Sequence, residues 1–208
     1  MKKIVKKFFK MRGVWLYSIV TILYVIWIYS VDSILQNMGV EYSQNVVGTI
    51  ITTEKLANAV NVPAPDLIVL TVVPIFEEIV FRWLPLFTVT TVFSLLVSLL
   101  KRKNINTIIP NNIGIACTIL VVLLSSAVFG YYHGNMYNLL LQGVLGLVLS
   151  MFYLRTYYRR KWAGKRVILQ IFPLLTSTVY HILTNQIWYL FDWESRAERF
   201  WSFGFFII

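Results

Sequence analysis

The sequence predicts an all-α fold, a polytopic bundle of about five transmembrane helices, or six if its longest apolar run divides. Of its residues 58% are hydrophobic and 13% charged, a richer apolar and poorer charged share than a water-soluble domain carries. The apolar residues come in continuous runs near the roughly 20 residues that cross a hydrocarbon core. Lipid offers no partner for backbone N–H and C=O groups, so a spanning segment is a helix or a strand of a closed barrel. Unbroken apolar runs exclude the alternating pattern of barrel strands.

The first run, Val14–Val31, follows Lys2, Lys3, Lys6, Lys7, Lys10 and Arg12. It is longer than a signal-peptide core, and no small-x-small site follows in Tyr29–Gly39, so it reads as an uncleaved anchor. Gln36–Pro65 is the one sizeable polar stretch, punctuated by Pro63 and Pro65, and suits the membrane surface. Leu67–Leu100 would measure about 50 Å as one helix, so it must tilt, bend or split, with Pro74 and Pro85 as the candidate breaks. One kinked helix is preferred, because two crossings would part Lys101, Arg102 and Lys103 from the other basic blocks. Ile113–Tyr132, Met136–Leu154 and Val167–Phe191 complete the set, and the tail from Asp192 mixes Arg196 and Arg199 with Trp193 and Trp201, an interfacial composition. The chain thus divides into an anchor and extracytoplasmic polar region (1–65), a helical core (66–191) and an interfacial tail (192–208).

The formal net charge of +10 is no sign of nucleic acid, because the basic residues sit in blocks beside apolar runs and not on one face of a domain. With five crossings, the N-terminal block, Lys101–Lys103 and the group Arg155, Arg159, Arg160, Lys161, Lys165 and Arg166 all fall on one side. The positive-inside bias makes that side the cytoplasm and places the N terminus there. Cys117 is the sole cysteine, which excludes disulfides and thiolate zinc sites within the chain.

Charges inside the membrane runs cost roughly 2.5–3.5 kcal/mol each, so the few present call for a reason. Glu77, Glu78 and Arg82 lie in the second run. Glu78 and Arg82 are four apart and can pair on one helix face, while Glu77 points about 100° away with its carboxylate free. Both histidines of the chain, His133 and His181, sit in or at the end of apolar runs. Asn185 follows His181 by one turn and shares its face. The expected depths of Glu77, His133 and His181 roughly agree, which suits a shared polar layer. Gly143, Gly146 and Ser150 supply small residues for close helix packing.

Glu-Glu-x-x-x-Arg at 77–82, Phe-x-x-x-His at 129–133 and His-x-x-x-Asn at 181–185, in this order on separate helices, resemble the CPBP family over about residues 66–190. That family comprises CAAX-type proteases and bacteriocin-processing enzymes, also called Abi proteins. Trp83 stands where many members carry glycine. The resemblance implies an intramembrane endopeptidase of a bacterial plasma membrane, acting on a membrane-associated peptide or protein. Glu77, helped by His133, would activate water, His181 and Asn185 would stabilise the oxyanion, and Glu78 with Arg82 would orient Glu77. It also implies one divalent metal, zinc first, on Glu77, His133 and His181, with a metal-free glutamate route as the alternative. Maturation of a bacteriocin or signalling-peptide precursor, or self-immunity, is the expected role, ahead of prenylated CAAX peptides. The competing readings are a non-catalytic immunity or scaffold protein and an ion or proton-coupled transporter.

Overall fold

The computed structural model describes residues 13–39, 65–133, 136–164 and 170–191. The surface segment expected within Gln36–Pro65 and the tail expected from Asp192 fall almost wholly outside these residues. The described chain is helical throughout, with no strand among the described residues: α1 (Gly13–Asn37), α2 (Pro65–Glu78), a π turn (Ile79–Trp83), α3 (Leu84–Arg102), α4 (Ile108–Tyr132), α5 (Met136–Trp162) and α6 (Ile171–Phe191).

The long run is one shaft, with its irregularity between the two prolines. Pro85 sits in the first turn of α3, where it has no N–H to bond back and its ring crowds the carbonyl four residues earlier. The helix answers with a wide turn in which the Leu84 N–H bonds to the Ile79 carbonyl. Leu70–Arg102 thus forms a single candidate span, beside Trp15–Leu35, Pro110–Tyr132 and Tyr137–Trp162. Among the described residues these four helices are long and apolar enough to cross a membrane. The fifth expected span corresponds to α6, which has 21 residues but whose hydropathy is diluted by His181, Thr184, Asn185 and Gln186. Its inner face packs on α5 and α2, where polar groups meet protein and not lipid.

α5 is the axis of the bundle. Lipid tails are as apolar as leucine, so helices here are held by close packing and hydrogen bonds. A Cβ on Gly130 would lie 2.7 Å from the Gly143 backbone nitrogen, so glycine is required where α4 and α5 touch. Leu16 of α1 packs with Leu149 and Phe152 of α5, and Val31 with Tyr137 and Leu141, which sets α1 antiparallel to α5. The Tyr24 hydroxyl and Trp27 indole of α1 donate to the carbonyls of Leu141 (3.3 Å) and Leu140 (2.9 Å).

A buried polar knot fixes the start of α6. Gln170 stands just before it at φ +48°, a left-handed conformation that a non-glycine residue holds only when its surroundings impose it. Its side-chain oxygen accepts from the Tyr153 hydroxyl (2.8 Å) and its amide donates to Thr90 Oγ1 (2.8 Å). These bonds tie the start of α6 to α5 and α3, and therefore set the height at which His181 stands.

Candidate active site

The end of α2 and the π turn present Glu77, Glu78 and Arg82, and the two glutamates divide as their 100° separation requires. Arg82 Nη1 lies 3.4 Å from Glu78 Oε1, with both side chains fully buried. The guanidinium also stacks over the Phe129 ring at 3.9 Å, a cation–π contact that strengthens when water is excluded. Gly146 makes the room, since a Cβ there would stand 3.0 Å from Arg82 Nη2 and 3.0 Å from Ser126 Cα. Trp83, in the place of a glycine, stacks on Phe87 and leaves this pair undisturbed. Glu77 keeps a small exposure and turns toward the two histidines.

Each imidazole is held by its Nδ1. In His133, at the end of α4, Nδ1 is 2.7 Å from the Phe129 carbonyl oxygen. A carbonyl only accepts, so Nδ1 carries the hydrogen. Asn138 then secures the backbone there, its amide donating to the His133 carbonyl at 3.1 Å. In His181, buried in α6, Nδ1 is 3.0 Å from Glu78 Oε1. That oxygen belongs to a carboxylate paired with Arg82, so again Nδ1 donates. Phe129 fills the space between the rings, its centroid 4.4 Å from His133 and 5.7 Å from His181.

With both Nδ1 atoms committed, both Nε2 atoms point at Glu77. His133 Nε2 lies 3.4 Å from Glu77 Oε1, and His181 Nε2 lies 3.6 Å from Glu77 Oε2. When the rings are neutral, all four of these atoms are acceptors, and the spacings exceed the 2.7–3.2 Å of a direct hydrogen bond. Such a set is complementary to a donor seated between its members, which is what a reactant water is. Glu77, Glu78, Arg82, His133 and His181 are therefore brought together. Glu78 reaches His181, not Glu77, so the Glu78–Arg82 pair orients the imidazole and not the free acid. Asn185 lies half-buried one turn beyond His181, with no hydrogen bond to it from the described residues.

The donor chemistry invites a metal, and the geometry tests the idea. Ligating histidines commonly donate Nδ1–H to a carbonyl or carboxylate, and spacings of 3.4 and 3.6 Å resemble those between neighbouring ligands on a tetrahedral ion. Among the described residues, however, no group of three or more His, Cys, Asp or Glu is placed to hold an ion together. Glu77, His133 and His181 thus lie close to one another without being assembled as an ion site.

Two contributors carry no signal in an ionisable-residue search. The Phe129 carbonyl acts through the backbone, although the Phe-x-x-x-His spacing implies it. Asn138 is nearly fully buried and was visible only as a polar residue early in an apolar run.

The family model described as Rce1-like type II CAAX prenyl endopeptidase matches residues 60–187. No curated protein and no solved structure matches the chain. The matched residues span α2 to most of α6 and include every side chain of the cluster. With its helices long and apolar enough for a membrane and this match over more than half its length, the chain belongs to the Rce1-like type II CAAX prenyl endopeptidase family of intramembrane proteases.

Proposed function

We propose that the cluster hydrolyses a peptide bond of a membrane-associated precursor through water activated by Glu77, and that the substrates include bacteriocin or signalling-peptide precursors. The observation that carries this reading is the pairing of each Glu77 oxygen with one imidazole Nε2 whose Nδ1–H is tied down. A water between Glu77 Oε1 and His133 Nε2 gives one hydrogen bond to each. As its oxygen attacks the scissile carbonyl, Glu77 takes its proton. The carbonyl becomes an oxyanion. His181, its Nδ1–H held by Glu78, enters the cycle as the imidazolium paired with Glu77 Oε2, turns Nε2–H to the oxyanion and keeps that proton throughout. Asn185 supplies a second donor. Collapse of the intermediate breaks the C–N bond, and the amine leaves with the proton that Glu77 collected. No step passes through a metal.

The test uses purified protein in detergent with candidate precursors, with and without a chelator. Glu77→Gln should lower the rate by about 10²–10⁴, His133→Ala should also lose activity, and chelation should leave the wild type unchanged. Full activity in Glu77→Gln would end the role of Glu77 as the base, and failure of the wild type to cleave any precursor would end the peptidase reading. Loss on chelation with recovery on zinc would show that the cluster rearranges around an ion. A scaffold or immunity protein without catalysis would keep its cellular phenotype with Glu77→Gln.

A further inference from the structure

The basic residues at the ends of the described helices collect at one end of the bundle, and the cluster stands toward the other. Lys161, at the end of α5, donates to Ser94 Oγ of α3 at 3.1 Å. Arg160 lies over the ring of Phe172, at the start of α6, at 3.8 Å. Lys101 and Arg102 end α3 on the same side. α1 runs antiparallel to α5, so its first residue, Gly13, stands there too. The described basic ends of α3 (Lys101 and Arg102) and α5 (Arg159, Arg160 and Lys161) therefore gather at one rim, where α1 also begins.

The distance from this rim to the cluster follows along one shaft. Ser94, where Lys161 docks, and Glu77 are 17 residues apart on the α2–π–α3 helix, about 25 Å at 1.5 Å per residue. The hydrocarbon core is about 30 Å thick, which leaves Glu77 near the opposite interface. α4 agrees independently: it begins beside the basic rim and ends on His133. Tyr131 and Tyr132, exposed at that end, have the composition of an interfacial aromatic belt. The basic rim is the cytoplasmic one by the positive-inside bias.

We propose that the site opens toward the extracytoplasmic interface and takes peptide bonds that lie at the outer surface of the membrane, in precursors that are being exported or are anchored there. Prenylated C termini presented from the cytoplasm would face the wrong end of the bundle. The proposal rests on the peptidase reading for its substrate, but its geometry is independent of it. Such a protease acts after the step that carries the precursor across the membrane.

The test uses the full-length chain in cells. Tyr131→Cys and Lys103→Cys are each made in a Cys117→Ser background and treated with a membrane-impermeant maleimide. Tyr131→Cys should label on intact cells, and Lys103→Cys only after lysis. Labelling of Lys103→Cys on intact cells, or a need for lysis with Tyr131→Cys, overturns the proposal. In a second arm, a fluorogenic peptide with an apolar anchor that the detergent-dispersed enzyme cleaves is added to sealed vesicles of known orientation. Cleavage by right-side-out and not inside-out vesicles is expected. The reverse result overturns the orientation and leaves the peptidase reading standing. Failure of cleavage in detergent strikes the peptidase reading instead, and the labelling still decides which side the cluster faces.

Discussion

Replacing Arg82 by methionine removes the ion-pair partner of Glu78 in a site with no exposure. At 3.4 Å and an effective dielectric near 20, the attraction of the pair is about 5 kcal/mol. Desolvating both ions offsets most of this, so the pair itself adds little, but stranding one member costs about 3–5 kcal/mol. Arg82→Met is therefore expected to destabilise the protein by that amount. Glu78→Gln should cost less, because the guanidinium keeps its contact with the Phe129 ring, about 2 kcal/mol when desolvated. The double variant should recover much of the loss, with a coupling of about 2–3 kcal/mol, yet remain inactive because glutamine, though it still accepts from Nδ1–H, lacks the negative charge that supports an imidazolium at His181. The assay is reversible unfolding in mixed micelles followed by tryptophan fluorescence, with peptide cleavage measured in parallel. Additive single effects would refute the reasoning, and so would an active double variant.

Gly146→Ala should cost about 1–3 kcal/mol through overpacking and displace Arg82, whose Nη2 the new methyl would approach to 3.0 Å. Thermal unfolding and kcat should fall together in that variant, whereas Gly164→Ala, at a turn with open space around it, should leave kcat alone. Gln170→Leu breaks two buried hydrogen bonds, for an expected loss of about 1–3 kcal/mol. Because α6 then loses its fixed height, kcat should drop more than KM changes.

Much of this site could be read from the order of polar residues in apolar runs. The separate duties of Glu77 and Glu78 follow from helical rotation, and the packing role of Gly143 and Gly146 follows from their size. What needed coordinates was the second hydrogen bond of each imidazole. Nothing in the spacing of Glu78 and His181, 103 residues apart, says that they touch, so the sequence shows the Glu78–Arg82 pair but not the imidazole that Glu78 also reaches. The knot at Gln170 escaped for the same reason: a single glutamine beside a basic stretch looks like a loop residue until Thr90 and Tyr153 are seen around it. The irregularity in the long helix was sought at Pro74 and Pro85. A proline's strain is relieved in the turn before it, so the wide turn stands upstream of Pro85 and not on it. The last helix was expected to span like the others, yet the polar residues that make it chemically useful keep it out of the candidate spans.

The turn at Ile79–Trp83 closes a larger ring than its neighbours and so consumes one residue more. Losing a single amino acid there would let the shaft close up as an uninterrupted α-helix with the two acids facing nearly as before relative to α3, because the wide turn is what absorbs the extra residue. Chemically mild substitutions at these positions can be absorbed by local repacking. A residue lost from the regular turns of α3 would find no such slack and would swing the two acids by about 100° relative to all that follows it, so the shaft tolerates a change of length in the wide turn and not beyond it.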